Sequence, residues 1–429
     1  MNLKGVDVVC KEGVSLSFYE EVRGWLDGKA GRRLFFIEDQ PERLKELARE
    51  ENAKVLLNDV RVKTFCLETP LQKEFIAKKI GWLSAFKELL VVDDAWKDLI
   101  ERQHNAAHAI ASDAAEFGVP VMRHMKANFE KPIRSLVKDS LKGVPAVICG
   151  AGPSLEKNGH LLKEWKGKAF LIAAGSAINA MEVAPDLAVA LDPHIPLIRK
   201  KHLSTPLCLQ SRMHPDSWRG ITGEAFYIPD SHFAFDAWLT KAEPLDTGWT
   251  SGNAGVAVAE YLGCAPIVLI GMDYCYRGEK KYANQKSTLE APLVQATDAQ
   301  GRKVWTQRDW LLAIQWLEMK KGMNVSEGME IKGWGPLKEF CGVVSDKWKG
   351  PLVQIERWKE WTESLKRCKE NPDGEIVQEL LLEPLWQIWA PLFERELMED
   401  KHPIPMKEKL TIQKALFFSQ VVEEHASVL

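Results

Sequence analysis

The chain has 429 residues, 45% hydrophobic and 27% charged, with a formal net charge of −3. That length is enough for two or three domains with sizeable cores, and the near balance of charge excludes an electrostatic case for nucleic acid or an anionic membrane as main partner. Eight cysteines without a Cys-x-x-Cys pair read as small buried residues of a reducing compartment, and with neither a leader-like N-terminus nor an apolar run of about 18 residues a cytoplasmic chain without a membrane span is expected.

The first readable unit is a strand at 34–38, a helix over 41–51 and two short β-rich runs at 55–57 and 60–64. This pattern is half of a nucleotide-type α/β unit, with Glu38 or Asp39 at the strand end where a ribose would lie, although no glycine-rich turn precedes it. Residues 1–94 are therefore expected to form a small N-terminal α/β domain. Residues 95–143 read as a helical connector: one helix carrying Asn105, Ala106, Ala109, Ile110, Ala114 and Phe117, ended by Gly118-Val119-Pro120, and a second over 121–141.

The stretch from Val144 to Leu155 is the most informative. A short apolar strand runs into Gly150-Ala151-Gly152-Pro153-Ser154, a turn that suits a phosphate by pointing bare N–H groups and a helix start at one spot. It lacks the third glycine of the dinucleotide fingerprint and the Lys-Ser/Thr of a Walker loop. Ser154 is a candidate helix cap or hydroxyl donor to a ligand. A plain chain reversal is the competing reading of such a turn.

Strands are then expected at 146–149, 169–174, 187–191, 206–210, 225–228 and 266–270, with helices at 158–165, 177–183 and 253–262. Alternation of this kind builds a mostly parallel, Rossmann-like sheet flanked by helices, an α/β fold, over residues 144–340. Ligands of such sheets lie at the carboxyl ends of the strands. Those ends read Gly150-Ala151-Gly152, Gly175-Ser176, Asp192-Pro193-His194 and Gly271-Met272-Asp273, and Thr250-Ser251-Gly252 opens a helix as a further anion site. Arg199-Lys200-Lys201 reads as a solvated helix face. From about 341 the chain turns helical and rich in tryptophan (Trp348, Trp358, Trp361, Trp386, Trp389), a helical C-terminal module through which the chain could form an oligomer.

Several motifs occur in order: Gly150-Ala151-Gly152-Pro153-Ser154-Leu155, Ala184-Pro185-Asp186-Leu187-Ala188-Val189-Ala190-Leu191-Asp192, Thr250-Ser251-Gly252, and Leu262-Gly263-Cys264-Ala265-Pro266 leading to Gly271-Met272-Asp273. With Val304-Trp305-Thr306 and the stretch from Met323 to Gly333, they resemble the motility-accessory-factor family. That family shares a domain with the 6-hydroxymethyl-dihydropterin diphosphokinases (MptE-like). The resemblance covers roughly residues 144 to 340. A more distant similarity is to bacterial sialyltransferases that use CMP-sialic acid. In these a Gly-x-Asp is followed by two tyrosines that bind the departing nucleotide phosphate. Tyr276 and Tyr282 are the counterparts, the first displaced by one position.

The resemblance implies a transferase that moves a nonulosonic, sialic-type sugar from a CMP donor to a protein hydroxyl. Gly150, Ala151, Gly152, Pro153, Ser154, Gly175, Ser176, Thr250, Ser251 and Gly252 would hold the nucleotide, and Tyr276 and Tyr282 its phosphate. The histidine base of the sialyltransferases has no counterpart, because no histidine lies between His232 and His402. Asp192, His194 and Asp273 are then the candidate catalytic groups. The alternative is a diphosphokinase transferring pyrophosphate from ATP to a pterin, with Mg²⁺ held by Asp192 and Asp273. A non-catalytic scaffold that keeps the fold is the third reading.

Overall fold

The computed structural model describes residues 3–353, apart from 30, 71, 232–233 and 284–292, and isolated positions 355, 357, 359 and 363. Of the helical C-terminal module expected from 341, the described start, 341–353, is an irregular stretch, a short 3-10 turn and a strand rather than a helix, and Trp358, Trp361, Trp386 and Trp389 lie outside the described residues, as do His232 and His402. The chain divides into two compact units, Met1–Val119 with Glu360–Leu429, and Pro120–Lys359.

In the first unit β1 (Val8–Glu12), α1 (Leu16–Asp27), β2 (Arg33–Glu38), α2 (Pro41–Leu47), α3 (Lys54–Leu57), β3 (Val62–Cys66), α4 (Gln72–Leu83) and β4 (Leu89–Val91) follow one another. The strands form a parallel sheet in the order β3-β2-β1-β4. Residues 55–57, expected as β-rich, form a helical turn. Only Leu56 of the three is buried, and one helical turn places a single side chain inward without requiring a sheet partner. Glu38 is fully buried at the end of β2, where its carboxylate accepts the N–H groups of Val14 (2.9 Å) and Gln40 (3.0 Å).

α5 (Asp94–Phe129) is one continuous helix of 36 residues that runs through Gly118-Val119-Pro120. An interior proline costs about 3 kcal/mol, and burial at both ends of the helix opposes that cost: Trp96, Ile100 and Ala107 on one side, Val121 and Met125 on the other. The second expected helix, over 121–141, is cut short. Pro132 disfavours a helical conformation for Lys131, and Ile133–Leu136 becomes strand β5.

The second unit continues with β6 (Ala146–Cys149), α6 (Leu155–Asn158), α7 (Leu161–Trp165), β7 (Phe170–Ala174), α8 (Ala177–Ala180), β8 (Leu187–Ala190), β9 (Leu207–Leu209), β10 (Ala225–Tyr227), α9 (Ala234–Thr240), α10 (Ser251–Tyr261) and β11 (Ile267–Ile270). A hairpin of β12 (Val294–Thr297) and β13 (Lys303–Thr306), then α11 (Arg308–Glu318), β14 (Gly322–Asn324), β15 (Trp334–Gly335) and β16 (Lys349–Leu352) complete it. Ten strands form one sheet in the order β15-β14-β11-β6-β7-β8-β9-β10-β5-β16, parallel throughout except for β16 against β5. The expected α/β fold with a mostly parallel sheet is the observed one.

Both faces of this sheet are covered. Ala146, Ile148, Phe170, Ile172, Leu187 and Val189 pack with α10 and α11, whereas Val147, Cys149, Leu171, Ala173 and Ala188 pack with α6, α7 and α8. The alternation follows from the two-residue period of a strand, and the near-continuous apolar runs from burial on both sides. The segment carrying Arg199-Lys200-Lys201 is an irregular loop rather than a helix.

Candidate functional site

Strands β6 to β10 lie side by side in chain order, and the chain then returns to place β11 on the other flank of β6. This reversal between β6 and β11 is the topological switch point, where open α/β sheets carry their ligands at the carboxyl ends. The expected Gly150 and Gly271 segments face each other there. All the strand ends singled out from the sequence share this rim, because β6, β7, β8 and β11 run parallel.

The Gly150 turn packs directly on the end of β11. Gly150 N–H donates to the carbonyl of Ile270 (2.8 Å) and Gly152 N–H to that of Gly271 (2.7 Å). Asp273 accepts the N–H of Ser154 at 2.6 Å and also the Ser154 hydroxyl. Three N–H groups of the expected phosphate cradle are thus engaged inside the protein. Ala151 accepts the N–H of Ala283 (2.7 Å). Ser154, expected to cap a helix, makes no side-chain cap bond; α6 behind it is a single turn. Asp273 is almost fully buried, and burial pushes its carboxyl above the usual range against the opposing hydrogen bonds from Ser154.

Across the rim, Thr250 caps α10: its hydroxyl oxygen accepts the N–H of Asn253 (3.2 Å). Ser251 and Gly252 form the first turn of that helix, whose positive dipole end favours an anion. Gly175 ends β7 with φ +53, a left-handed angle that disfavours any side chain, and a Cβ there would lie 3.3 Å from Ser251 Oγ. Ser176 precedes α8 without capping it. Gly175 and Ser251 are therefore neighbours on the same rim.

The two tyrosines belong to one aromatic group around Trp310. Tyr276 is buried, its ring centroid 5.3 Å from that of Trp310, and its hydroxyl accepts from Gln307 Nε2 at 2.9 Å. Lys281 Nζ stands 5.4 Å from the Tyr282 ring centroid and 5.7 Å from that of Trp310. Lys281 and Gln307 escaped the sequence reading; only the adjacency of Lys281 to Tyr282 could have signalled the first.

Asp192, exposed at the end of β8, makes a local turn: one carboxylate oxygen accepts the N–H groups of His194 (2.8 Å) and Ile195 (3.0 Å). Its backbone carbonyl accepts the N–H of His214 (2.9 Å). His214 in turn lies against His124 of α5, ring centroids 4.9 Å apart. His124 and His214 were missed, because no local motif links a helix at 124 with loops at 194 and 214.

Asp192 and Asp273 do not form a shared cation site. Their strands, β8 and β11, are three ladder steps apart, about 14 Å, whereas Mg²⁺ binds oxygen at about 2.1 Å. Among the described residues no group of three or more His, Cys, Asp or Glu side chains is arranged to hold a metal ion, and no helix is long and apolar enough to cross a membrane.

Residues 121–279 match the family model described as 6-hydroxymethylpterin diphosphokinase MptE-like. The chain is similar in structure to a Maf glycosyltransferase from Magnetospirillum magneticum AMB-1, with a TM-score of 0.63 and 17% sequence identity, over 99% of this chain and 79% of that one. Both findings agree with the resemblance carried by the Gly150, Asp192, Thr250 and Gly271 motifs; the structural likeness is one of fold. No curated protein matches the sequence.

Proposed function

We propose that the chain is a nucleotide-dependent transferase that moves an acidic, nonulosonic-type sugar from a CMP donor to a protein hydroxyl. The observation that carries this reading is the rim at the β6/β11 switch point, where the capped N-terminus of α10 stands beside Gly175 at the end of β7. A helix start at a switch point suits a phosphate. The relative bearing the name glycosyltransferase shares this fold.

In such a transfer the acceptor hydroxyl oxygen attacks the anomeric carbon, the bond from that carbon to the phosphate oxygen breaks, and CMP leaves with the electron pair. The hydroxyl proton passes to a base. Asp192, His194 and Asp273 are the sequence-derived candidates for it; Asp273 and the Asp192 carboxylate also accept internal hydrogen bonds. Lys281, beside Tyr282, places a positive charge next to a tyrosine assigned to the leaving phosphate.

The MptE-like match favours a second reading, pyrophosphoryl transfer from ATP to a pterin. It requires Mg²⁺, for which Asp192 and Asp273 do not converge. Calorimetry separates the two readings: CMP is expected to bind with the same affinity with and without Mg²⁺. Binding of ATP only in the presence of Mg²⁺ would overturn the glycosyl reading, and binding of neither nucleotide would leave a non-catalytic scaffold.

A further inference from the structure

Two histidines from separate parts of the second unit meet at the carboxyl ends of β8 and β9, and the field of a third, His194, reaches the first. Asn128 on α5 brings the first of them there: its side-chain NH₂ donates to the carbonyls of Ser211 (2.6 Å) and Met213 (2.7 Å), and its oxygen accepts from Trp218 Nε1 (2.7 Å). One helical turn earlier, His124 is thereby set against His214. Asp192 fixes the other two, taking the His194 N–H on its carboxylate and the His214 N–H on its carbonyl.

The Nδ1 of His214 accepts the N–H of Asp216 at 3.1 Å, so in the neutral ring the proton resides on Nε2, a donor. His124 Nδ1 is buried and has no hydrogen-bond partner among the described residues. Burial first, then the field of His214 and more weakly that of His194, hold the His124 imidazole below its usual range against a hydrogen bond to the Arg212 backbone. These groups repel one another when charged and would be relieved by an anion.

The neighbouring charges are already engaged. The carboxylate of Asp230 is held by Arg212 and the Thr247 hydroxyl, that of Asp216 by Arg219, and that of Asp192 by two backbone N–H groups. Position selects the kind of anion. The cluster stands one to two ladder steps along the rim from Gly175 and Ser251, about 5–10 Å, the span of one sugar ring beyond a phosphate.

We propose that His124 and His214 form an anion subsite that receives the carboxylate of the transferred sugar, an inference that rests on the nucleotide-sugar reading above. Asp192 acts in it as a positioning residue for His214, whose N–H its carbonyl accepts.

Two measurements on the full chain test this. In calorimetry, CMP-N-acetylneuraminate is expected to bind about tenfold more tightly than CMP, the scale of one charge-assisted hydrogen bond. His214→Asn, which keeps an acceptor near the Nδ1 position and removes Nε2, abolishes that gain and leaves CMP affinity unchanged. Equal effects on both ligands, or none on either, overturn the proposal. In histidine-labelled NMR of the unsubstituted protein, free N-acetylneuraminate raises the titration midpoint of His124 and moves the ring resonances of His214, whereas its methyl ester does neither. If acid and ester act alike, or inorganic phosphate shifts these histidines and the acid does not, the subsite is wrong even though CMP binds. If CMP fails to bind but the acid still shifts them, the nucleotide reading falls and the subsite stands.

Discussion

A Cβ at Gly152 would lie 2.6 Å from the carbonyl oxygen of Gly271 and 2.8 Å from the Asp273 carboxylate. Neither neighbour is the free end of a flexible side chain, so the backbone would have to move. Gly152→Ala is therefore expected to lower unfolding stability by about 1–3 kcal/mol, the scale of core overpacking, in urea titrations without ligand. Unchanged stability with lost nucleotide binding would instead show that this glycine serves ligand approach. The glycines and Asp273 were legible in the sequence as special positions. Their task was not, because a glycine demanded by a phosphate and one demanded by another strand end look alike in a sequence.

Among the elements, the parallel strands were legible because strands buried on both faces are written as short continuous apolar runs ending in glycine or carboxylate. α5 was not, since Gly118-Val119-Pro120 is a strong local stop signal that burial at both ends of the helix overrides. Nor was the role of Asn128, which nothing near it in sequence announces. Its side chain joins α5 to the loop after β9 through three hydrogen bonds and is fully buried. Asn128→Ala leaves two carbonyls and an indole N–H to find other partners and is expected to cost about 2–4 kcal/mol. The same substitution should separate His124 from His214, read as a rise of the His124 midpoint towards its usual range in NMR titration. A stability change within about 0.5 kcal/mol, the scale of an ordinary surface substitution, would show that α5 is held by its apolar face alone.

The two units carry buried titratable groups whose effects on stability have opposite sign. In the first, burial and then the neighbouring His108 pull His104 down to about 4, and its Nδ1 lies 3.0 Å from Ser84 Oγ. Its unfolded value is about 6.5, so the unfolded chain takes up the proton first and this contribution to stability is lost as pH falls from about 6.5 towards 4. In the second unit Asp236 is buried, and burial pushes its carboxyl up to about 7. Here the folded state keeps the proton. The contribution is whole below about 4, the unfolded value, and is lost as pH rises to about 7. Hydrogen exchange followed by segment, with rates corrected for the intrinsic pH dependence, should therefore show opposite trends. On moving from pH 7.5 to 5, α4 becomes less protected, whereas β10 and α9 become more so. Asp236→Asn should remove the second trend and leave the first. A common trend in both segments would mean that global charge, rather than these two buried groups, sets the pH response.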